Sequence, residues 1–186
     1  MADIRSFICI EIPEEILFRL KNVQDHLKPH SRGVRWVRSE GIHLTLKFLG
    51  DVAERRLPDI ARAVQLAAQN IKPFDISLNG FGAFPDFRRP RIFWIGIQEN
   101  AGMLVRLQRR IEEELEKEGF QAEKRPFTPH LTLGRVKSND NIGAVSRILS
   151  AENIGVAEFR AREIVIKKSE LQPSGALYTS LYNIEL

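Results

Sequence analysis

The tetrapeptide His43-Leu44-Thr45-Leu46 returns as His130-Leu131-Thr132-Leu133, and this repetition constrains the fold more than any other feature of the chain. Successive side chains of a strand point to opposite faces, so in each copy His and Thr share one face and the two Leu residues share the other. Each copy predicts a strand with an apolar back and a polar, titratable front. The repeat is not isolated. Opening strands at Phe7 and Phe93 align 86 residues apart, the signatures 87 apart, and strands beginning at Phe74 and Phe159 align 85 apart. A nearly constant offset through strand, helix, signature, helix and strand reads as an internal duplication over residues 1–186. Two such α/β units pack naturally about a pseudo-two-fold axis, which would bring His43 and His130 face to face.

At 186 residues and 43% hydrophobic content the chain suffices for one domain, or two closely joined lobes, with a substantial core. Its 28 Lys plus Arg exceed 24 Asp plus Glu, for a net charge of +4. That excess is compatible with a phosphate-bearing partner without establishing one. Cys9, the single cysteine, lies in the apolar run Phe7-Ile8-Cys9-Ile10 and is expected as a buried small residue, not a nucleophile. The opening Met1-Ala2-Asp3-Ile4-Arg5 has no secretory pattern, and no apolar run approaches the ~18 residues of a membrane span. A soluble, cytoplasmic chain with no membrane partner is expected.

Along the chain, strands are predicted at 6–12, 34–37, 42–49, 74–84, 91–97, 127–136, 157–169 and 176–186. Helices are predicted from Glu14 to Leu27, Glu54 to Ile71, Ala101 to Glu118 and Asn141 to Ser150. Pro13 suits the first helix start, Gly119 the third helix end, and Pro173-Ser174-Gly175 a turn between the last strands. His26 and His30 fall where the first helix meets a basic loop, a solvated setting.

Two facing histidines suit acid–base chemistry, because an unperturbed pKa near 6.5 allows one ring to be protonated while the other is neutral. In a phosphodiester reaction one takes a proton from the entering hydroxyl and the other protonates the departing oxygen. Thr45 and Thr132, on the same faces, could hydrogen-bond the non-bridging oxygens where charge builds. The rival chemistry is metal binding. Catalytic zinc needs about three protein ligands, and the sequence has no His-Glu-x-x-His helix, cysteine cluster or acidic residue within either signature. No metal and no cofactor are expected.

These residues resemble the two-histidine (2H) phosphoesterases. Leu46-Lys47-Phe48-Leu49-Gly50, Thr128-Pro129, Phe81-Gly82-Ala83-Phe84-Pro85 and Pro90-Arg91-Ile92-Phe93-Trp94 resemble, more closely, the bacterial and archaeal RNA 2′,3′-cyclic phosphodiesterases, also called 2′-5′ RNA ligases. The resemblance implies an α+β fold of two pseudo-symmetric lobes, each an antiparallel sheet backed by helices, with both histidines in a central cleft. It implies metal-independent opening of a 2′,3′-cyclic phosphate to a 2′-phosphate, with His43 as proton donor and His130 as proton acceptor. Thr45 and Thr132 would hold the phosphate, and Arg135, matching an arginine after the second signature, would add positive charge. Arg135 stands at odd spacing from His130, so strict alternation aims it at the wrong face unless Gly134 permits a bulge.

Arg88, Arg89 and Arg91 are candidates for flanking phosphates, with a solvated basic loop as the alternative. Phe48, Trp94 and Trp36 could stack on a base, with a core role as the alternative. The expected partner is RNA ending in a 2′,3′-cyclic phosphate, or a cyclic nucleotide, met by a monomer. Two other enzyme readings are turnover of a small cyclic nucleotide or of 2′-5′ linkages, and ligation as the main role. A module that only holds RNA ends is the remaining one, against which the histidine pair argues, since phosphate binding alone favours Arg and Lys.

Overall fold

The computed structural model describes residues 3–99, 102–155, 157–172 and 175–186. Nine strands and four helices follow one another as β1 (Asp3–Glu11), α1 (Glu14–Leu27), β2 (Val34–Trp36), β3 (His43–Ala53), α2 (Leu57–Ala68), β4 (Phe74–Phe84), β5 (Ile92–Gln98), α3 (Met103–Lys117), β6 (His130–Val136), α4 (Ile142–Ala151), β7 (Glu158–Ala161), β8 (Glu163–Gln172) and β9 (Gly175–Glu185). Pro13 precedes α1, whose first turn carries Glu14 and Glu15 against the positive end of the helix dipole. Helix α2 starts after a 3-10 turn at Glu54–Arg56, later than the periodicity predicts. Strand β6 starts at His130 because Pro129, just before it, has no N–H to offer a ladder. Ala101, the expected start of the third helix, and Pro173 and Ser174 of the expected turn lie outside the described residues.

All strand pairings are antiparallel, in the order β7-β4-β5-β6-β3-β1-β8-β9, with β2 beside β6. The fold is thus α+β, and the two sheets expected for two lobes are joined through one register pair, Leu44 with Leu131, between β3 and β6. Sequence alignment makes β4 and β7 counterparts, but they are neighbours at one end, and the place that mirrors β4 is taken by β8 beside β1. The strand expected over 157–169 is accordingly two strands, broken at Arg162, that pair at opposite ends of the sheet. Sequence adjacency cannot reveal such a crossing, because it depends on which edge still lacks a partner.

The largest buried cluster joins both halves, packing Ile8, Ile10, Leu44, Leu46, Leu131 and Leu133 against Leu20, Ile60, Leu107 and Ile111 of the helices. Helices α1 and α3 also reach across to the other half's signature. Buried Gln24 of α1 donates through Nε2 to the carbonyls of Leu133 (2.9 Å) and Val37 (2.8 Å). Buried Gln108 of α3 reaches the Leu46 carbonyl at 3.5 Å. Each glutamine serves the second Leu of the opposite signature, where an unpaired buried carbonyl would cost about 1–3 kcal/mol.

Candidate active site

The register of the central strands builds the site. Since Leu44 opposes Leu131 in an antiparallel pair, His43 stands across from Thr132 and Thr45 across from His130. Both Leu residues are fully buried, whereas all four polar residues are partly exposed on the other face. The histidines occupy a diagonal of this four-residue array, a separation of roughly 7–8 Å on a regular ladder, somewhat less between Cβ atoms. A phosphoryl group can lie between them.

Both signatures then carry the same irregularity. Cys9 pairs with Thr45 but Ile8 with Lys47, so Leu46 is an extra residue in β3. Trp94 pairs with Thr132 but Phe93 with Gly134, so Leu133 is extra in β6. A bulge shifts the alternation by one residue. Arg135 therefore returns to the face of His130 and Thr132, opposite Ile92, and the parity difficulty disappears. By the same shift Phe48 joins His43 and Thr45 on the site face, 71% exposed, while Lys47 turns inward. Gly134 contributes by its smallness: a Cβ there would meet the Trp36 ring at 2.9 Å. Trp36 itself is packed into the core, so its place is structural.

The register also corrects the alignment of the opening strands. Cys9 and Trp94 occupy matching places beside Thr45 and Thr132, so the counterpart of Phe7 is Ile92. A one-residue slip exchanges faces. Phe7 belongs to the site face and stacks on His43 with centroids 4.5 Å apart, whereas Phe93 is fully buried in the core.

Around His43 the walls are aromatic. Phe7 covers one face and Tyr178 of β9 meets the ring edge-on at 5.2 Å. Tyr178 is not singled out by the sequence, because only the β1–β8–β9 order brings it here. Burial pushes the His43 pKa down to about 4, helped by the Lys167 ammonium and opposed by the Gly41 carbonyl and Glu11. Nδ1 is shut from solvent and makes no hydrogen bond of ordinary geometry among the described residues. Lys167 is paired with Glu11 on the neighbouring strands. Since the unfolded ring takes a proton near pH 6.5 and the folded one only near pH 4, the native state loses stability as pH falls through that window, by no more than about 3 kcal/mol. Urea midpoints measured from pH 7 to pH 4.5 are expected to fall more steeply for the wild type than for His43→Gln. Parallel curves would mean that burial of the ring does not govern its titration.

His130 is held differently. Its Nδ1 lies 2.7 Å from the Thr128 carbonyl, so Nδ1 donates to it, and in the neutral ring the lone pair is left to Nε2. Phe84 meets the ring edge-on at 5.0 Å, and Trp94 lies 6.0 Å away, flat over Gly82, where any Cβ would strike the indole at 2.1 Å. Trp94 thus belongs to the site face, but as a wall beneath Phe84 and His130. Arg35, not singled out by the sequence, stands across from Arg135 on β2. Like charges placed opposite each other repel, and neither has an ion-pair partner among the described residues, an arrangement that an anion between them would stabilise.

Arg88, Arg89 and Arg91 line a groove with Lys137 and the start of α4, and neither histidine is part of its lining. Cys9 is fully buried, with its thiol pushed up to about 12 by burial, and has no nucleophilic part. Among the described residues no three His, Cys, Asp or Glu side chains are grouped to hold a metal ion, and no helix is long and apolar enough to cross a membrane.

The chain is similar to known proteins in sequence and in fold. The sequence pattern of the 2′-5′ RNA ligase superfamily matches residues 18–171. The RNA 2′,3′-cyclic phosphodiesterase of Methanothermobacter thermautotrophicus is 37% identical over 179 residues, 96% of each chain. That of Archaeoglobus fulgidus is 38% identical over 178 residues, 95% of this chain and 97% of its own. The crystal structure of the protein TT0787 of Thermus thermophilus superposes with a TM-score of 0.80 at 29% identity, covering 98% of this chain and 97% of that one.

Proposed function

The chain belongs to the 2′-5′ RNA ligase superfamily, and from that premise we propose that it hydrolyses RNA 2′,3′-cyclic phosphate ends to 2′-phosphates by two-histidine acid–base catalysis, without a metal ion. The observation that carries the reading is the register pair Leu44–Leu131, from which two His–Thr pairs follow on one face. His130, with its proton fixed on Nδ1 by the Thr128 carbonyl, takes a proton from water at Nε2. His43 gives a proton to the departing 3′-oxygen. Burial keeps His43 neutral before substrate binds, and a phosphodiester anion set against the ring favours its charged form. Substrate binding and proton uptake are therefore coupled. Thr45 and Thr132 donate to the non-bridging oxygens, and Arg135, with Arg35 opposite, balances their charge.

Both histidines come from one chain, so a monomer suffices, and a cytoplasmic protein meeting RNA ends is the corresponding setting. We read the matched halves of residues 1–186 as one duplicated unit. The test is turnover in excess chelator of cyclic-phosphate-ended RNA, cyclic mononucleotides and 2′-5′-linked dimers. Opening of the cyclic ends to 2′-phosphates, undiminished by EDTA, is expected. Activity lost in EDTA and restored by zinc, manganese or magnesium would sink the metal-free mechanism.

A further inference from the structure

Where β5 and β6 run out of the site, a groove of about 570 Å³ opens. One wall is the β4–β5 loop with Arg88, Arg89 and Arg91; the other is Lys137 with the start of α4 and Ser146. The loop is shaped by Asp86, whose carboxylate accepts the backbone N–H groups of Arg88 (2.7 Å) and Arg89 (3.1 Å). The opposite wall is fixed to residue 33, whose carbonyl accepts the N–H of Lys137 at 2.7 Å. Four cations thus line one groove, and none has an ion-pair partner among the described residues. Such a cluster repels itself, and an anion at its centre reverses the sign.

Two further observations point to a phosphate. The first turn of α4, with residues 142 and 143 in the groove wall, presents the positive end of its dipole. Ser146, on the same helix and only 6% exposed, has a buried hydroxyl with no hydrogen-bond partner among the described residues. A hydroxyl left so costs stability unless a ligand satisfies it.

The groove starts where the site strand ends, since Val136 and Lys137, which line it, follow Arg135 directly. Val136 donates to the Arg91 carbonyl at 2.9 Å, one residue beyond Arg135. Thr132 and Val136 are roughly 13 Å apart at the rise of a strand. A cyclic phosphate terminates the 3′ end of its strand, so all remaining nucleotides lie to its 5′ side. We propose that this groove binds backbone phosphates of the nucleotides 5′ to the cyclic end, so that the protein selects RNA ends over cyclic mononucleotides. This rests on the cyclic phosphodiesterase reading and adds to it a subsite for the backbone.

The experiment compares kcat/KM for a cyclic-phosphate-ended pentanucleotide with that for the corresponding cyclic mononucleotide, in the wild type and in an Arg89→Gln/Lys137→Gln variant. The wild type is expected to prefer the pentanucleotide, and the variant to lower that ratio at least tenfold. In parallel, fluorescence anisotropy follows binding of a pentanucleotide ending in an ordinary 3′-phosphate. The slope of log affinity against log salt should become shallower by about 1, the value for one or two single-strand phosphate contacts. Ser146→Ala should weaken this binding several-fold without lowering Tm, as removing an unpartnered hydroxyl does not destabilise. A kcat/KM ratio within twofold of wild type, or an unchanged salt slope, overturns the groove. Absence of turnover on both substrates overturns the phosphodiesterase reading instead, and the anisotropy measurement still decides whether the groove takes RNA.

Discussion

Glu112→Ala is expected to destabilise the protein by about 3–5 kcal/mol, a large part of the roughly 5–15 kcal/mol that holds an ordinary domain together. The bulge at Leu46 turns Lys47 inward, where its side chain is only 5% exposed and its ammonium meets Glu112 of α3 at 2.5 Å. Lys47 also donates to the Gln121 carbonyl at 2.9 Å. Glu112 accepts from Gln108 at 3.1 Å and from the backbone N–H of Glu123 at 3.1 Å. One ion pair thus ties the first signature strand, helix α3 and the segment leading to His130. Removing the carboxylate leaves a buried ammonium with one neutral acceptor, and the cost is the desolvation of that charge. In Lys47→Met/Glu112→Leu no charge is left behind, so most of the stability should return. The segment at Gln121–Glu123 then has no anchor, and kcat should remain low even though the protein is folded. Urea denaturation of both variants, read with activity, checks this. A Glu112→Ala loss below about 1 kcal/mol, the range of a solvated surface pair, would mean that water reaches the pair.

Lys47 shows where sequence reading stops. Alternation along His43-Leu44-Thr45-Leu46 is visible in residue types, and the structure follows it with partly exposed and buried residues in turn. Beyond Leu46 the same rule assigns Lys47 to the site face and Phe48 to the core, and both assignments are inverted by one extra residue. Nothing in Leu46 or Leu133 marks it as a bulge, since the shift arises from how β1 and β5 pair with the signatures. The two histidines and two threonines of the signatures, and the presence of four helices, are legible because they depend on spacing within one segment. Tyr178, Arg35, Gln24 and Gln108 are not, because each acquires its part from strand order or helix placement. Gln24 even stands in the apolar repeat of α1, where its amide reaches a strand carbonyl 109 residues away. Arg88, Arg89 and Arg91 are legible as a basic loop, but the groove that gathers them with Lys137 and Ser146 is a product of tertiary packing.

The largest kinetic effects are expected at the two histidines, each of which should lower turnover by roughly 10²–10⁴-fold when replaced by Ala. A shared magnitude does not separate their parts, and the strand register treats them alike. Their surroundings do not. His130 has its Nδ1 proton fixed by the Thr128 carbonyl and a lone pair free for water. His43 lies between Phe7 and Tyr178, in a site that keeps the ring neutral until an anion arrives. In hydrolysis of a 2′,3′-cyclic phosphate, water enters opposite the bond that breaks, so base and acid must flank phosphorus on opposite sides. Replacing the 3′-oxygen of the substrate by sulfur gives a thiolate leaving group that scarcely needs a proton. His43→Ala is therefore expected to recover most of its lost rate on the 3′-thio substrate, while His130→Ala stays slow because water still lacks its base. Recovery of His130→Ala alone would exchange the two assignments. If neither variant recovers while circular dichroism and Tm match the wild type, leaving-group protonation is not the main contribution of either ring, and both would act by stabilising phosphoryl charge.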